Sequence, residues 1–277
     1  MSATTTIQNA GDASGLAACT TFSGSIAIAT GTTDQILLNN IRTITGDLVA
    51  TNVSQMTTLR ADSLQRIEGT FRLQDVQILS DLTFPQLSTV NTIIWTGLPN
   101  LGGLNFATAI QQASKVDIEN TFLSSLDGIN LRSVDDFYVA NNNYLQEVTL
   151  QLSNISTRLT LQANGNRLAA SFPNLEWAFN MSLTNVANLS IPSLAATNGS
   201  LGIFQSSMES LVAPNLTSVG GALAIVDNQQ LNDLELPQLS SITGAFQVAN
   251  NTNLEQINVP KLSTIGGALD FNGNFTK

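Results

Sequence analysis

The amino-acid sequence predicts an all-β fold, a parallel right-handed β-helix or leucine-rich-repeat-like solenoid of about twelve coils, and three observations carry that prediction. A unit of 20 to 23 residues recurs along nearly the whole chain, and a period in this range marks a solenoid. Within each unit apolar residues alternate with period two, bounded by Gly before and by Asn, Asp or Gly after, so the units are short strands rather than helices. Charge is scarce: 277 residues carry 20 Asp and Glu, 10 Lys and Arg, and no His. Stacked parallel coils leave little strand edge to protect with charge, except at the two ends.

The elements follow in order. Residues 1–22 read as an N-terminal cap, with a short helix expected in Ala10-Gly-Asp-Ala-Ser-Gly-Leu-Ala-Ala. Residues 23–277 read as a single repeat domain, trimmed at both ends. Taking the first inward strand residue as anchor, the coils fall at Ile26, Leu48, Phe71, Ile94, Val116, Phe137, Leu159, Met181, Leu201, Leu223, Phe246 and Leu269. The clearest pair is Gly221-Ala-Leu223-Ala-Ile225-Val-Asp-Asn228 against Gly244-Ala-Phe246-Gln-Val248-Ala-Asn250-Asn251. A second inward position recurs as Met56, Leu79, Leu145, Leu231 and Leu254, and a third as Leu59, Leu82, Leu234 and Ile257. Pro85, Pro237 and Pro260 precede an inward Leu at a corner, where one missing ladder donor is tolerated. The stretch 97–114 departs most and is expected to form a helical turn or a bulged loop without dividing the domain.

With 43% hydrophobic residues the chain can fill a core. The net charge of −10, with seven Arg and three Lys scattered, excludes a phosphate-binding surface and hence nucleic acid as a partner. Absence of His removes histidine triads, His general bases and the commonest metal ligand; no cofactor or metal site is expected. The start lacks a basic and then apolar leader, and no stretch approaches a membrane span.

Asparagines cluster four or five residues past the anchor, at Asn52, Asn120, Asn141, Asn142, Asn164, Asn185, Asn228, Asn250, Asn251 and Asn274. A sugar- or calcium-binding row is one reading. A stacked amide ladder at turns with left-handed backbone is the favoured one, because position in the repeat predicts these residues. Acceptor sequons for N-glycosylation stand at Asn52, Asn154, Asn180, Asn188, Asn198, Asn215, Asn250 and Asn274. Asn188, Asn198 and Asn215 are expected between strands and accessible, whereas Asn52, Asn250 and Asn274 overlap the ladder and are expected to be enclosed.

For catalysis only carboxylates remain. Asp135-Asp136 are strand neighbours facing opposite ways and read as a solvated turn. Asp117, Glu119 and Asp136 could meet across coils, with Lys115 and Arg158 near, as in a carbohydrate-active β-helix enzyme. Cys19 has no base to activate it and reads as half of a capping disulfide whose partner is absent from this sequence. Trp95, Trp177, Tyr138 and Tyr144 could stack on sugars but suit packing or isolated surface positions.

The run Cys-Thr-Thr-Phe-Ser-Gly-Ser-Ile-Ala-Ile at 19–28, the run Ala-Thr-Asn-Val-Ser-Gln-Met-Thr-Thr-Leu at 50–59 and the Leu-Pro-Gln-Leu-Ser-Ser-Ile-Thr-Gly-Ala-Phe unit resemble the fungal GPI-anchored cell-wall organisation proteins. This is the sporulation-specific protein 2-like group, whose coils are similar to receptor L domains. The resemblance implies a secreted glycoprotein of the cell surface, tethered to the plasma membrane only through a GPI anchor on the full-length parent. It implies a cysteine upstream of Cys19 and no catalytic residues. Support of wall organisation and integrity, with a wall polysaccharide or wall protein as partner, is the expected function. A receptor-like or adhesive module and a β-helix enzyme are the alternatives.

Overall fold

The computed structural model describes residues 3–33 and 35–275; Met1 and Ser2 of the expected cap, and Thr276 and Lys277 at the other end, lie outside the described residues. The strands pair in parallel, stacked as a β-solenoid of about twelve turns. Among the described residues only Ala10–Gly15 and Leu16–Ala18 are helical. The helix starts where the Asn9 side chain accepts the Asp12 N–H at 3.1 Å and the Asp12 carboxylate takes the Gln8 N–H at 2.9 Å, so orphan amides at its N-terminus are satisfied. Two compact units divide the chain, residues 1–131 with 141–145 and residues 132–140 with 146–277.

In the first unit Thr4–Ile7 is already a rung, pairing with Ser25–Ile28. Thr5, Ile26, Leu48, Phe71, Ile93 and Val116 lie side by side along one ladder. The fourth anchor is therefore Ile93, not Ile94. Spacings of 22 and 23 residues occur side by side in this repeat, so Ile93-Ile94 offers two candidates that length cannot separate. The alternation settles it: Ile93 and Trp95 are fully buried while Ile94 is half-exposed. Trp95 packs edge-on against Phe71 (5.6 Å) and Phe106 (6.0 Å), and Phe84 closes the cluster at 5.1 Å from Phe71. Residues 97–114 contain no helix; Gly97 and Leu98 end the strand Thr89–Leu98, and the rest runs as an irregular loop tied by single bridges at Asn105, Ile110 and Gln112.

In the second unit Phe137, Leu159, Met181, Leu201, Leu223, Phe246 and Leu269 form the corresponding row. All but Leu269 are buried, each worth about 1.5–3 kcal/mol relative to exposure.

The asparagines occupy two adjacent rows with different work. Four residues past the anchor the backbone is left-handed, at Asn52, Asp75, Asn120, Asn141, Ala163, Asn185, Gln205, Asp227 and Asn250, and Asn is among the few side chains that adopt it readily. One residue later the side chain turns inward. Asn142, Asn164, Asn228 and Asn251 are at most 3% exposed. Asn228 Nδ2 donates to Ile203 O (3.1 Å) and its Oδ1 accepts from Ser206 N–H (2.9 Å); Asn251 repeats this on Ile225 O and Asn228 N–H, both at 2.9 Å. Asn142 does the same in the first unit, on Ile118 O and Thr121 N–H. The amide ladder is thus observed, and Asn142, Asn228 and Asn251 find their partners in the coil before them.

A second row is made of glycine. Gly221, Gly244 and Gly267 stand one above another, Gly244 N–H donating to Gly221 O at 2.8 Å and Gly267 N–H to Gly244 O at 2.9 Å. A Cβ on Gly244 would lie 2.7 Å from Gly221 C and Ala222 N. The first unit repeats the pattern through Gly24, Gly46 and Gly69. None of Gly221, Gly244 and Gly267 has positive φ, so close backbone approach rather than turn geometry demands them. Several strands run on through this corner with a register shift, as in Arg66–Gln74, Thr89–Leu98, Ser133–Ala140 and Asn154–Gln162.

Candidate functional site

The outward face of the main ladder carries the candidate carboxylates. In the first unit Lys115, Asp117 and Glu119 alternate along one strand and so share a face. Lys115 Nζ lies 3.4 Å from Asp117 Oδ2. Burial, followed by the charge of Asp117 and a hydrogen bond to it, pushes the Glu119 carboxyl above its ordinary range. In the second unit Arg158 makes a bidentate pair with Asp136, at 2.6 and 3.2 Å, and lies 5.1 Å from the centre of the Tyr138 ring. Asp135 points elsewhere and accepts from the Ser156 hydroxyl. Asp136–Arg158 and Asp135–Ser156 tie neighbouring strands together, whereas Lys115–Asp117 lies within a single strand. Among the described residues no group of three His, Cys, Asp or Glu side chains is placed to hold a metal ion.

The aromatic candidates separate. Trp95 is core; Trp177 and Tyr138 are half-buried; Tyr144 is 55% exposed and touches Phe122, itself 41% exposed, with ring centres 4.1 Å apart. Phe122 escaped the sequence reading because it lies just beyond its strand, where no period marks it. Cys19 is a half-buried free thiol closing the turn Leu16–Ala18, its N–H donating to Leu16 O at 2.9 Å.

The sequons also differ from expectation. Asn52 and Asn250 are exposed rather than enclosed, because they belong to the left-handed outer row; Asn274 stands in register with the inward Asn228 and Asn251, five residues past Leu269, yet is exposed together with the rest of 269–274. The Asn274 sequon ends on Thr276, outside the described residues. Asn250 Nδ2 donates to Asp227 Oδ1 (3.0 Å), Asn274 Nδ2 to Thr252 O (2.9 Å) and Asn215 Nδ2 to Pro192 O (2.8 Å). Asn154 is half-buried on Ser153, and Asn180 accepts from Ser200 N–H. Asn198 is exposed at a bend. Asn188 is not between strands: it opens the strand Asn188–Ser190.

That strand borders a break. On the face opposite the main ladder Glu147–Thr149, Ala169–Ser171 and Asn188–Ser190 form one sheet and Ser210–Val212 and Asp233–Glu235 another, with no pairing between Asn188–Ser190 and Ser210–Val212. Leu189 is half-exposed, whereas its neighbours in the row, Ala170 and Leu211, are 2% exposed. A groove of about 700 Å³ opens here. Its cause is legible: the coil from Met181 to Leu201 has 20 residues against 22 on either side, so its strand starts early and misses its partner.

Comparison with known proteins completes the picture. Protein ecm33 of Aspergillus fumigatus is 35% identical over 234 residues, 84% of this chain and 58% of the relative. A cell surface GPI-anchored protein of Arthroderma benhamiae is 38% identical over 228 residues, 82% of this chain and 59% of the relative. Sporulation-specific protein 2 of Saccharomyces cerevisiae is 32% identical over 231 residues, 82% of this chain and 46% of the relative. Further fungal relatives are named as cell wall or cell surface proteins. The chain therefore spans roughly half of the length of the relatives it matches. No family model and no solved structure matches it. The repeat, its solenoid and these identities agree: the chain belongs to the fungal family of GPI-anchored cell-surface and cell-wall proteins that includes ecm33 and sporulation-specific protein 2.

Proposed function

We propose that the chain is the repeat region of a non-catalytic extracellular glycoprotein that supports organisation and integrity of the fungal cell wall, held at the surface through the GPI anchor of its parent. The observation that carries this reading is the homology, whose members bear names of wall and surface proteins. The candidate acids support it: Asp117, Asp135 and Asp136 are engaged by neighbouring side chains. Its partner is a wall polysaccharide or wall protein, and its exposed sequons are sites for glycan. The exposed Phe122–Tyr144 pair favours the polysaccharide, since sugar rings stack on such surfaces.

The test is complementation. In a strain lacking the gene, the full-length protein restores growth on a wall-perturbing dye, and Asp136→Ala or Glu119→Gln restores it equally. Turnover of glucan, chitin or mannan by the purified protein, abolished by Asp136→Ala, would overturn the reading.

A further inference from the structure

The break beside Asn188 is a place where the molecule is incomplete as a stack of coils. Two strand edges, Asn188–Ser190 and Ser210–Val212, border one groove without pairing. Unpaired strand edges and an opened core are both costly, and Leu189 and Val212 give the groove an apolar component, Val212 being 39% exposed. Ser171, Ser190 and Ser210 give it hydroxyls. Its wall also contains both working residues of a glycosylation sequon, the acceptor Asn188 and the hydroxyl residue Ser190, and Asn188 is exposed.

We infer that the groove is the seat of an N-linked glycan on Asn188, whose first N-acetylhexosamine residue lies between the two strands and takes the place of the missing rung. The covalent step joins Asn188 Nδ2 to the anomeric carbon of a lipid-pyrophosphate-linked oligosaccharide. The sugar–phosphate bond breaks, the lipid pyrophosphate leaves, and one amide proton passes to solvent. A pyranose fits both characters of the groove: its C–H face covers Leu189 and Val212, while its hydroxyls and acetamide bond to serine hydroxyls and strand-edge amides. A volume of about 700 Å³ falls within the usual range of clefts that bury small ligands. A covalently attached sugar needs only a weak affinity of its own, because attachment at the wall keeps its local concentration high. Asn215, by contrast, is at a turn and Asn198 at a bend.

This inference rests on the glycoprotein reading above, and the experiment separates the two. The protein is secreted from yeast, its glycopeptides are mapped by mass spectrometry, and thermal midpoints are measured for wild type, Asn188→Gln, Ser190→Ala and Asn215→Gln. Occupancy at Asn188 is expected, with both Asn188→Gln and Ser190→Ala lowering the midpoint by about 3 °C or more and Asn215→Gln leaving it unchanged. The same variants made in bacteria, without glycan, are expected to melt together with their own wild type. Trimming to a single N-acetylglucosamine with endoglycosidase H keeps the midpoint. A bare Asn188 on a protein glycosylated elsewhere overturns the inference while sparing the glycoprotein reading; a protein bare at every sequon overturns both. An occupied Asn188 whose loss leaves the midpoint unchanged also overturns it. So does amide-exchange protection of 188–190 and 210–212 in the bare protein that grows with concentration, since it makes a second copy the occupant.

Discussion

Alanine at Gly244 tests the close stacking of coils directly. A Cβ there would sit 2.7 Å from Gly221 C, and ordinary contact begins near 3.4 Å, so the coils must part by roughly 0.7 Å (3.4 − 2.7). Taken along the stack, that separation stretches the Gly244 N–H···O Gly221 bond from 2.8 Å to roughly 3.5 Å, past useful hydrogen-bond length. Overpacking costs about 1–3 kcal/mol and the weakened bond about 0.5–1.5 kcal/mol. The sum, roughly 1.5–4.5 kcal/mol, corresponds to a fall in Tm of about 3–18 °C for a domain of this size. Circular-dichroism melts of Gly244→Ala are to be set against Gly103→Ala, where an added Cβ meets nothing within 4 Å and Tm is expected to stay level or rise slightly. Equal melting of the two variants would refute the close-packing argument, because both lose the same glycine freedom in the unfolded chain and differ only in what the new methyl touches.

Three further outcomes are expected. Asn228→Ala strips partners from Ser206 N–H and Ile203 O, and a denaturant titration should show a loss of about 2–6 kcal/mol, counting about 1–3 for each orphaned group; Asn215→Ala on the surface should show almost none. Glu119→Gln should raise Tm near neutral pH and lose that advantage in acid. The sign follows from linkage: a carboxyl raised in the folded state binds its proton more tightly there, so stability falls as pH rises from the unfolded value through the folded one; a pH series in which wild type gains on the variant above this window contradicts it. Deleting residues 223–245 should leave a folded protein, since Phe246 then takes the place of Leu223 on Leu201; a chain without a cooperative melt would show the register to be wrong.

The period and the alternation made the solenoid legible, because each coil buries the same positions and so repeats the same residue types. Leu223–Val226 and Phe246–Ala249 could be aligned by eye, and the buried Asn228 and Asn251 followed from them. What escaped was whatever the period cannot encode. Ile93 and Ile94 are chemically alike, and only pairing to Phe71 and Val116 decides which faces in. Asn250 and Asn251 looked like one row, yet one is exposed on left-handed backbone and the other buried, since a single residue step reverses direction. The glycines at 221, 244 and 267 mark the start of a unit in the sequence, which shows their small size but not the neighbouring backbone that requires it. The groove at Asn188 left a trace in the 20-residue coil, but a length difference of two residues says nothing of which face opens.

The buried amides give the stack a direction. Asn142, Asn228 and Asn251 each direct a side-chain donor and the side-chain acceptor toward the coil already made. A coil emerging during synthesis therefore carries bare inward N–H and C=O groups until its successor arrives to complete it. Growth from the N-terminus is self-finishing at every step but the last, while peeling from the C-terminus uncovers one unfinished turn at a time. Translation order and architectural order coincide, and the newest turn is always the one most in need of a holdase.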